Sequence, residues 1–219
     1  MISFLGESHA AVIFRSAARV KGFQLCNPDE ASIVFICEDT PTDDEGNRDL
    51  EPIRKLVLLA KDYCPNLILT SQVPPGFTRS LGVPIYHQSE TLRIKDALDR
   101  ALNPEQLIVG CFNPNDSLPV VYMNYLKAFN CPIFKMTYEE AEFSKIAINM
   151  TLASQVENTN RLAESAQRCG ARWEIIANVL SHDRRIGPFS YLEPGDWKRS
   201  KHLLRDYATL KEIDGQVPD

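Results

Sequence analysis

The sequence predicts an α/β fold: a mostly parallel sheet over residues 1–136, a helical domain over 137–210 built on one long helix, and a tail over 211–219. Three observations predict it. Short β-branched runs alternate with stretches of helical period through the first two thirds of the chain. The first of these runs is followed at once by a glycine and an alanine-rich helix. From Thr137 to Cys169 neither proline nor glycine interrupts the chain. Strand, glycine and helix in that order begin a Rossmann-like sheet.

Taken in order, Ile2–Leu5 is the first strand, and Ala10–Val20 is a helix ended by Gly22. Ser32–Cys37 is a second buried-strand candidate, and Phe23–Cys26, ending in Asn27-Pro28, is the candidate for the second strand of a dinucleotide fold. Leu50–Tyr63 places Ile53, Leu56, Val57 and Ala60 on one helical face. Leu67–Thr70 is a strand stopped by Val73-Pro-Pro-Gly. Leu107–Val109 and Pro132–Phe134 are further strands, with a helix over Leu118–Phe129 between them. Thr137 and Glu140 have the spacing of a capping box. The helix that follows is about 48 Å long at ~1.5 Å per residue, more than a small domain needs, so part of its apolar stripe is expected to pack on a partner domain or subunit. Trp173–Leu180 is a further helix, Ile186–Gly195 a loop, and the chain after Lys211 a frayed end.

Composition narrows the function. The 219 residues carry 24 basic and 29 acidic side chains, a net charge of −5, which excludes a general polyanion-binding surface and argues against nucleic acid as a partner. No apolar run approaches the ~20 residues that span a bilayer, and the start has no basic leader, so neither a membrane segment nor a signal peptide is expected. Six scattered cysteines without a CxxC pair, and four histidines without an HxxxH pair, point away from structural zinc and towards a reducing cytoplasm. No metal is expected. One charge pattern stands out: between Arg168 and Arg205 eight basic residues face four acidic ones, a cationic stretch on an acidic chain that suits a diphosphate or another anionic partner, or is a solvated face.

The first turn offers Gly6-Glu-Ser8-His-Ala-Ala11. Only the first glycine of a GxGxxG loop is present, and no well-placed carboxylate follows the second strand, although Asp29 is near. The acidic segment Cys37–Glu51 lacks the spacing of a calcium loop and reads as solvated.

Four segments carry a resemblance over nearly the whole chain: Phe35-Ile-Cys-Glu-Asp-Thr40-Pro41-Thr-Asp43-Asp-Glu-Gly46, Ser71-Gln-Val-Pro-Pro-Gly-Phe-Thr-Arg79, Ala141-Glu-Phe-Ser-Lys145-Ile-Ala-Ile-Asn149 and Asp183-Arg-Arg185-Ile-Gly187. In order and wording they resemble the UDP-glucose/GDP-mannose dehydrogenase family, whose members use NAD to oxidise the primary alcohol of a nucleotide sugar twice. The resemblance implies a long central helix that makes a homodimer, and nucleotide sugars as substrates in polysaccharide biosynthesis. It assigns Lys145 and Asn149 to the substrate oxyanion; residues four apart share a helix face, which suits convergence on one oxygen. Ser89-Glu90-Thr-Leu-Arg93 resembles the family's PEFLR segment, making Glu90 the acid/base or water-positioning group and Arg93 a substrate contact. Asp206 matches the aspartate of the catalytic loop. Gly6, Ser8, Thr40 and Ser71 fall in segments that line the NAD site, and Arg185, Tyr191 and Gly195 in those that hold substrate.

The departures from the family matter as much. The register from Tyr191 through Pro194-Gly195 to Asp206 places His202 where the family has its cysteine nucleophile. That cysteine holds the aldehyde so that a second hydride can leave; an imidazole is a poor substitute, and the second oxidation is expected to be lost. Gln72 stands for a threonine, the segment after the second strand is short, and the family's second α/β domain does not appear in the sequence. Two readings follow: an NAD-dependent oxidoreductase acting on CH–OH groups that stops after one hydride, or a catalytically silent relative that binds a nucleotide, another anion or a partner protein as a dimer.

Overall fold

A computed structural model describes residues 1–44 and 46–215. The chain divides into two units, one of residues 1–41 and 48–145, the other of 42–47 and 146–219.

The first unit is a six-stranded sheet whose strands lie side by side in chain order: β1 (Ile2–Leu5), β2 (Ile33–Ile36), β3 (Leu67–Leu69), β4 (Tyr86–Gln88), β5 (Leu107–Cys111) and β6 (Ile133–Thr137). β1 to β4 are parallel; β5 and β6 are parallel to each other but run antiparallel to β4. Helices α1 (His9–Val20), α2 (Glu51–Ala60), α3 (Phe77–Ser80), α4 (Ala97–Leu102) and α5 (Val120–Lys127) connect them. Side chains alternate across a strand, so β2 sends Ile33 and Phe35 into one core and Val34 and Ile36 into another. In the first, Phe35 stacks on Phe4 with ring centroids 4.8 Å apart and lies 4.6 Å from Tyr125; in the second, Ile53 and Val57 of α2 pack on Leu67 and Leu69. A β2 buried on both faces explains its continuously apolar sequence.

Several expectations are corrected. Phe23–Cys26 forms no strand: Leu25 makes only an isolated parallel bridge to Ile2, because Pro28 opens a short 3-10 turn at once. The Ile2 amide and carbonyl bond Gln24 and Cys26, so the bridge lies on the side of β1 away from β2. The chain therefore crosses from one side of β1 to the other. That reversal is the arrangement at the switch point of a doubly wound sheet, the place where such folds bind ligands, outside the carboxyl ends of the strands. β4, α3 and α4 were not anticipated; Tyr86-His-Gln has no apolar signal of its own and becomes a strand through its neighbours. β5 and β6 extend past their expected ends, to Cys111 and Thr137.

The long helix is continuous: α6 spans Tyr138–Arg168, 31 residues. Its capping box forms, the Thr137 amide donating to the Glu140 carboxylate at 2.7 Å and the Glu140 amide to Thr137 Oγ1 at 3.4 Å. At the other end Gly170, with φ +77°, turns the chain so that the Ala171 amide donates back to the Ala166 carbonyl at 2.8 Å. The second unit contains the remainder of α6 with α7 (Trp173–His182) and α8 (Lys201–Gly215). Helix α8 continues past Lys211 to Gly215, and 216–219 of the expected tail lie outside the described residues. Among the described residues no helix is long and apolar enough to cross a membrane.

Candidate functional site

Parallel strands β1 to β4 end on one edge of the sheet, and six of the sequence-predicted residues (Gly6, Ser8, Thr40, Ser71, Glu90 and Arg93) belong to the segments that leave it. Gly6 ends β1 with φ +103°; a Cβ there would lie 2.4 Å from the Cys37 carbonyl oxygen, so only glycine lets this turn close on β2. Ser8 caps α1: its Oγ accepts the Ala11 amide at 3.1 Å and donates to the Cys37 carbonyl at 2.5 Å. Ser8 is thus turned inward, and the His9 and Ala10 amides are the remaining donors of the first turn. Arg15 on α1 donates to the carbonyls of Phe4 and Gly6, at 2.9 and 2.7 Å. Ser71, just past β3, accepts the Glu38 amide at 2.9 Å, which ties the ends of β2 and β3 together. Thr40 is buried beside them in sequence. Beyond β4, the Glu90 carboxylate accepts the amide of Leu92. Cys37, buried at the same edge, has its thiol pushed up to about 12 by burial, against a hydrogen bond from Thr70; it is inert.

The start of α6 is seated beside β4 by a glycine the sequence did not single out. A Cβ on Gly110 would meet Ala141 Cβ at 2.9 Å and Tyr138 Cα at 3.2 Å. Tyr138 donates to the Ile85 carbonyl at 2.5 Å, before β4, and Ser89, after β4, donates to the Ala141 carbonyl at 2.7 Å. α6 therefore runs in the direction of β4 towards the carboxyl edge. Lys145, 8% exposed, lies one turn further along.

In the second unit Asn149 and Asp206 come together: Asn149 Nδ2 donates to Asp206 Oδ2 at 2.6 Å, with the two residues 8% and 0% exposed. Arg205 Nε stands 3.8 Å from the other carboxylate oxygen. His202 occupies the first turn of α8, exposed. Polar residues of α6 hold the loop before α8. Gln155 accepts the Tyr191 amide at 3.0 Å, and Thr159 donates to its carbonyl at 2.7 Å. Asn160 exchanges two hydrogen bonds with Gly195, at 2.7 and 2.9 Å. The Trp173 indole donates to Leu192 and that of Trp197 to Glu157. Arg93 and Arg185 are exposed in local ion pairs with Asp96 and Asp183; each arginine holds its aspartate below the usual carboxylate range. Among the described residues no group of three metal-ligating side chains occurs.

The donors this edge offers to a dinucleotide are two amides at the start of α1 and the Ser71 hydroxyl, beside a glycine turn that no other residue tolerates. Asp29, the nearest acid to Leu25, is exposed in the 3-10 turn.

Residues 139–200 match the UDP-glucose/GDP-mannose dehydrogenase family, central domain. Among curated proteins, the chain is 29% identical to an uncharacterised protein of Methanocaldococcus jannaschii, with 72% of this chain and 19% of that one covered. It is 23% identical to the UDP-glucose 6-dehydrogenase YwqF of Bacillus subtilis (86% and 46% covered) and 26% identical to AglM of Haloferax volcanii (72% and 42%). The chain thus spans less than half the length of these curated relatives. Among solved structures, a UDP-glucose dehydrogenase of Pyrobaculum islandicum superposes with a TM-score of 0.70 at 18% identity, over 98% of this chain and 63% of that one. A UDP-D-ManNAc dehydrogenase of Pyrococcus horikoshii gives 0.71 at 13% identity, over 98% and 70%. At such identities the likeness is one of fold.

Proposed function

The chain belongs to the UDP-glucose/GDP-mannose dehydrogenase family, and from that premise we propose that it is an NAD-dependent oxidoreductase that converts the primary alcohol of a nucleotide sugar to the aldehyde and stops there. Gly6, Thr40 and Ser71 would border NAD at the carboxyl edge of β1 to β3, and Ser8, turned inward as the cap of α1, would fix the first turn whose His9 and Ala10 amides are directed at its phosphates. NAD, when bound, accepts the hydride.

The chain's own residues manage the proton and the oxygen. The family resemblance gives Lys145 and Asn149, one turn apart on α6, the role of donors to the substrate oxygen as it gains negative charge. The Glu90 carboxylate takes the hydroxyl proton. Asp206 fixes which way the Asn149 amide points, so the donor is oriented before substrate arrives. His202 has no thiolate with which to hold the aldehyde, and the reaction ends after one hydride. Arg93, Arg185, Tyr191 and Gly195 supply substrate contacts, and two copies associate through the long helix in the cytoplasm.

The observation that carries this reading is the buried Asn149–Asp206 bond. Burying a carboxylate and an amide is unfavourable unless they bond each other, and these two are the residues that the family resemblance names. The test is a fluorescence titration with NADH, followed by absorbance at 340 nm with a set of UDP- and GDP-sugars. One NADH per sugar, lost on Lys145→Ala, is expected. Absence of NADH binding overturns the cofactor, and two NADH per sugar overturns the single step.

One observation favours the silent, partner-binding alternative. Phe189 is 92% exposed, and Ile175 and Val179 of α7 are also open to solvent, in the same stretch as the cationic run. Activity with full-length protein and any nucleotide sugar removes that reading.

A further inference from the structure

We propose that Glu142 is a positioning residue for the cofactor crevice: its carboxylate sets the conformation of the Ser71–Arg79 segment against which a dinucleotide would rest. The inference deepens the NAD reading above and depends on it for its function, though not for its geometry.

Glu142 is 1% exposed. Its two oxygens accept the amides of Gly76, at 2.6 Å, and Thr78, at 2.8 Å. The side chains of Val73 and Phe77 anchor the segment in the second core, but its backbone around Gly76 has few partners of its own kind. Val73-Pro74-Pro75 offers no proline amide, the helix α3 is four residues long, and Gly76 takes a left-handed φ of +87°. Within the segment the Phe77 amide reaches the Pro74 carbonyl at 3.1 Å. At its start Ser71 is anchored by the Glu38 amide; at its end Arg79 forks onto Glu139 at 2.5 and 2.9 Å. That outer pair is 40% exposed on each side and of small energetic weight. The buried carboxylate is the stronger clamp, because hydrogen bonds to a charged acceptor are about twice as strong as neutral ones. Ser89 and Glu90 are secured by the same turn of α6, through the Ala141 carbonyl, so one helical turn holds both segments that border the crevice beyond β2.

Glutamine is close in shape but wrong in chemistry: it replaces one acceptor with an NH2 that faces an amide N–H. Burial also raises the Glu142 carboxyl, with Glu139 adding to the rise, while the Thr78 hydroxyl and the amides of Thr78 and Gly76 pull it down. Arg79, paired with Glu139, carries the positive charge that also acts on Glu142. The two-acceptor form is therefore lost as pH falls through a raised value.

Two measurements on the full chain test the proposal. In a NADH titration at pH 7.5, Glu142→Gln is expected to bind at least tenfold more weakly, and Glu139→Gln within twofold of the original protein. Between pH 8 and 5 the original protein should lose affinity towards acid while Glu142→Gln stays flat. Equal affinity in Glu142→Gln, an equal loss in Glu139→Gln, or parallel pH profiles overturns the positioning role while leaving the cofactor reading intact. Without any cofactor, hydrogen exchange at Gly76 and Thr78 should be at least tenfold faster in Glu142→Gln; unchanged exchange overturns the proposal even where the protein binds no NADH. If Glu142→Gln does not fold, Glu142→Asp, one methylene shorter, is read in the same two assays with the same criteria.

Discussion

Replacing Asn149 with alanine removes a side-chain donor from a carboxylate that is fully buried. Asp206 is 0% exposed and receives Asn149 Nδ2 at 2.6 Å, with Arg205 Nε at 3.8 Å on its other oxygen. A hydrogen bond to a charged group is worth ~1.5–3 kcal/mol net, and Arg205 keeps the loss from rising to that of an isolated buried charge. The coupling between Asn149→Ala and Asp206→Ala in a double-mutant cycle should therefore be ~1.5–3 kcal/mol. For Asn149→Ala alone, the melting midpoint should fall by roughly 3–12 °C, at ~2–4 °C per kcal/mol for a chain of this size. Urea unfolding followed by tryptophan fluorescence suits the measurement, because both tryptophans, Trp173 and Trp197, belong to the unit that contains the pair. A coupling below ~0.5 kcal/mol would refute the reasoning and remove the support for an oriented Asn149 amide.

Other expectations are independent of the cofactor. Gly6→Ala should destabilise by more than ~2 kcal/mol, since a left-handed residue costs ~1–2 kcal/mol before any clash and its Cβ would meet a backbone carbonyl at 2.4 Å. Gly82→Ala, left-handed but with open space around it, should cost about 1 kcal/mol; similar urea midpoints for the two would contradict this. His87 is buried and neutral, its folded value lowered by burial from 6.5 to about 4. Between those pH values the unfolded chain binds the extra proton, so stability falls as pH drops from 6.5 to 4, by on the order of 3 kcal/mol. Glu142 works with the opposite sign, so the quantity to compare is the difference in that slope between the original protein and His87→Gln; an unchanged slope refutes the assignment. Cys169 is exposed, whereas Cys37, Cys64 and Cys111 are buried with raised thiols. A thiol reagent at pH 8 should label Cys169 first, and Cys169→Ser should remove the fast phase. Asn160→Ala should speed proteolysis after Arg184 and Arg185, as its two bonds to Gly195 restrain that loop.

Readable from residue order alone were the features that depend on near neighbours. The alternating strands and helices, the Thr137–Glu140 box, the unbroken helix to Arg168 and the glycine at the first turn are local patterns, because side-chain period and capping act over two to four residues. Lys145 and Asn149 were legible by spacing and resemblance together. What came only from the folded chain is the set of contacts between distant segments: Asn149 with Asp206 across 57 residues, Glu142 with Gly76 across 66, and Gly110 beneath Ala141. A polar β4 and the reversed direction of β5 and β6 belong to the same class. Local pattern says which residues are buried on a face; which buried polar groups find one another depends on how the elements pack, and no window of sequence contains both partners.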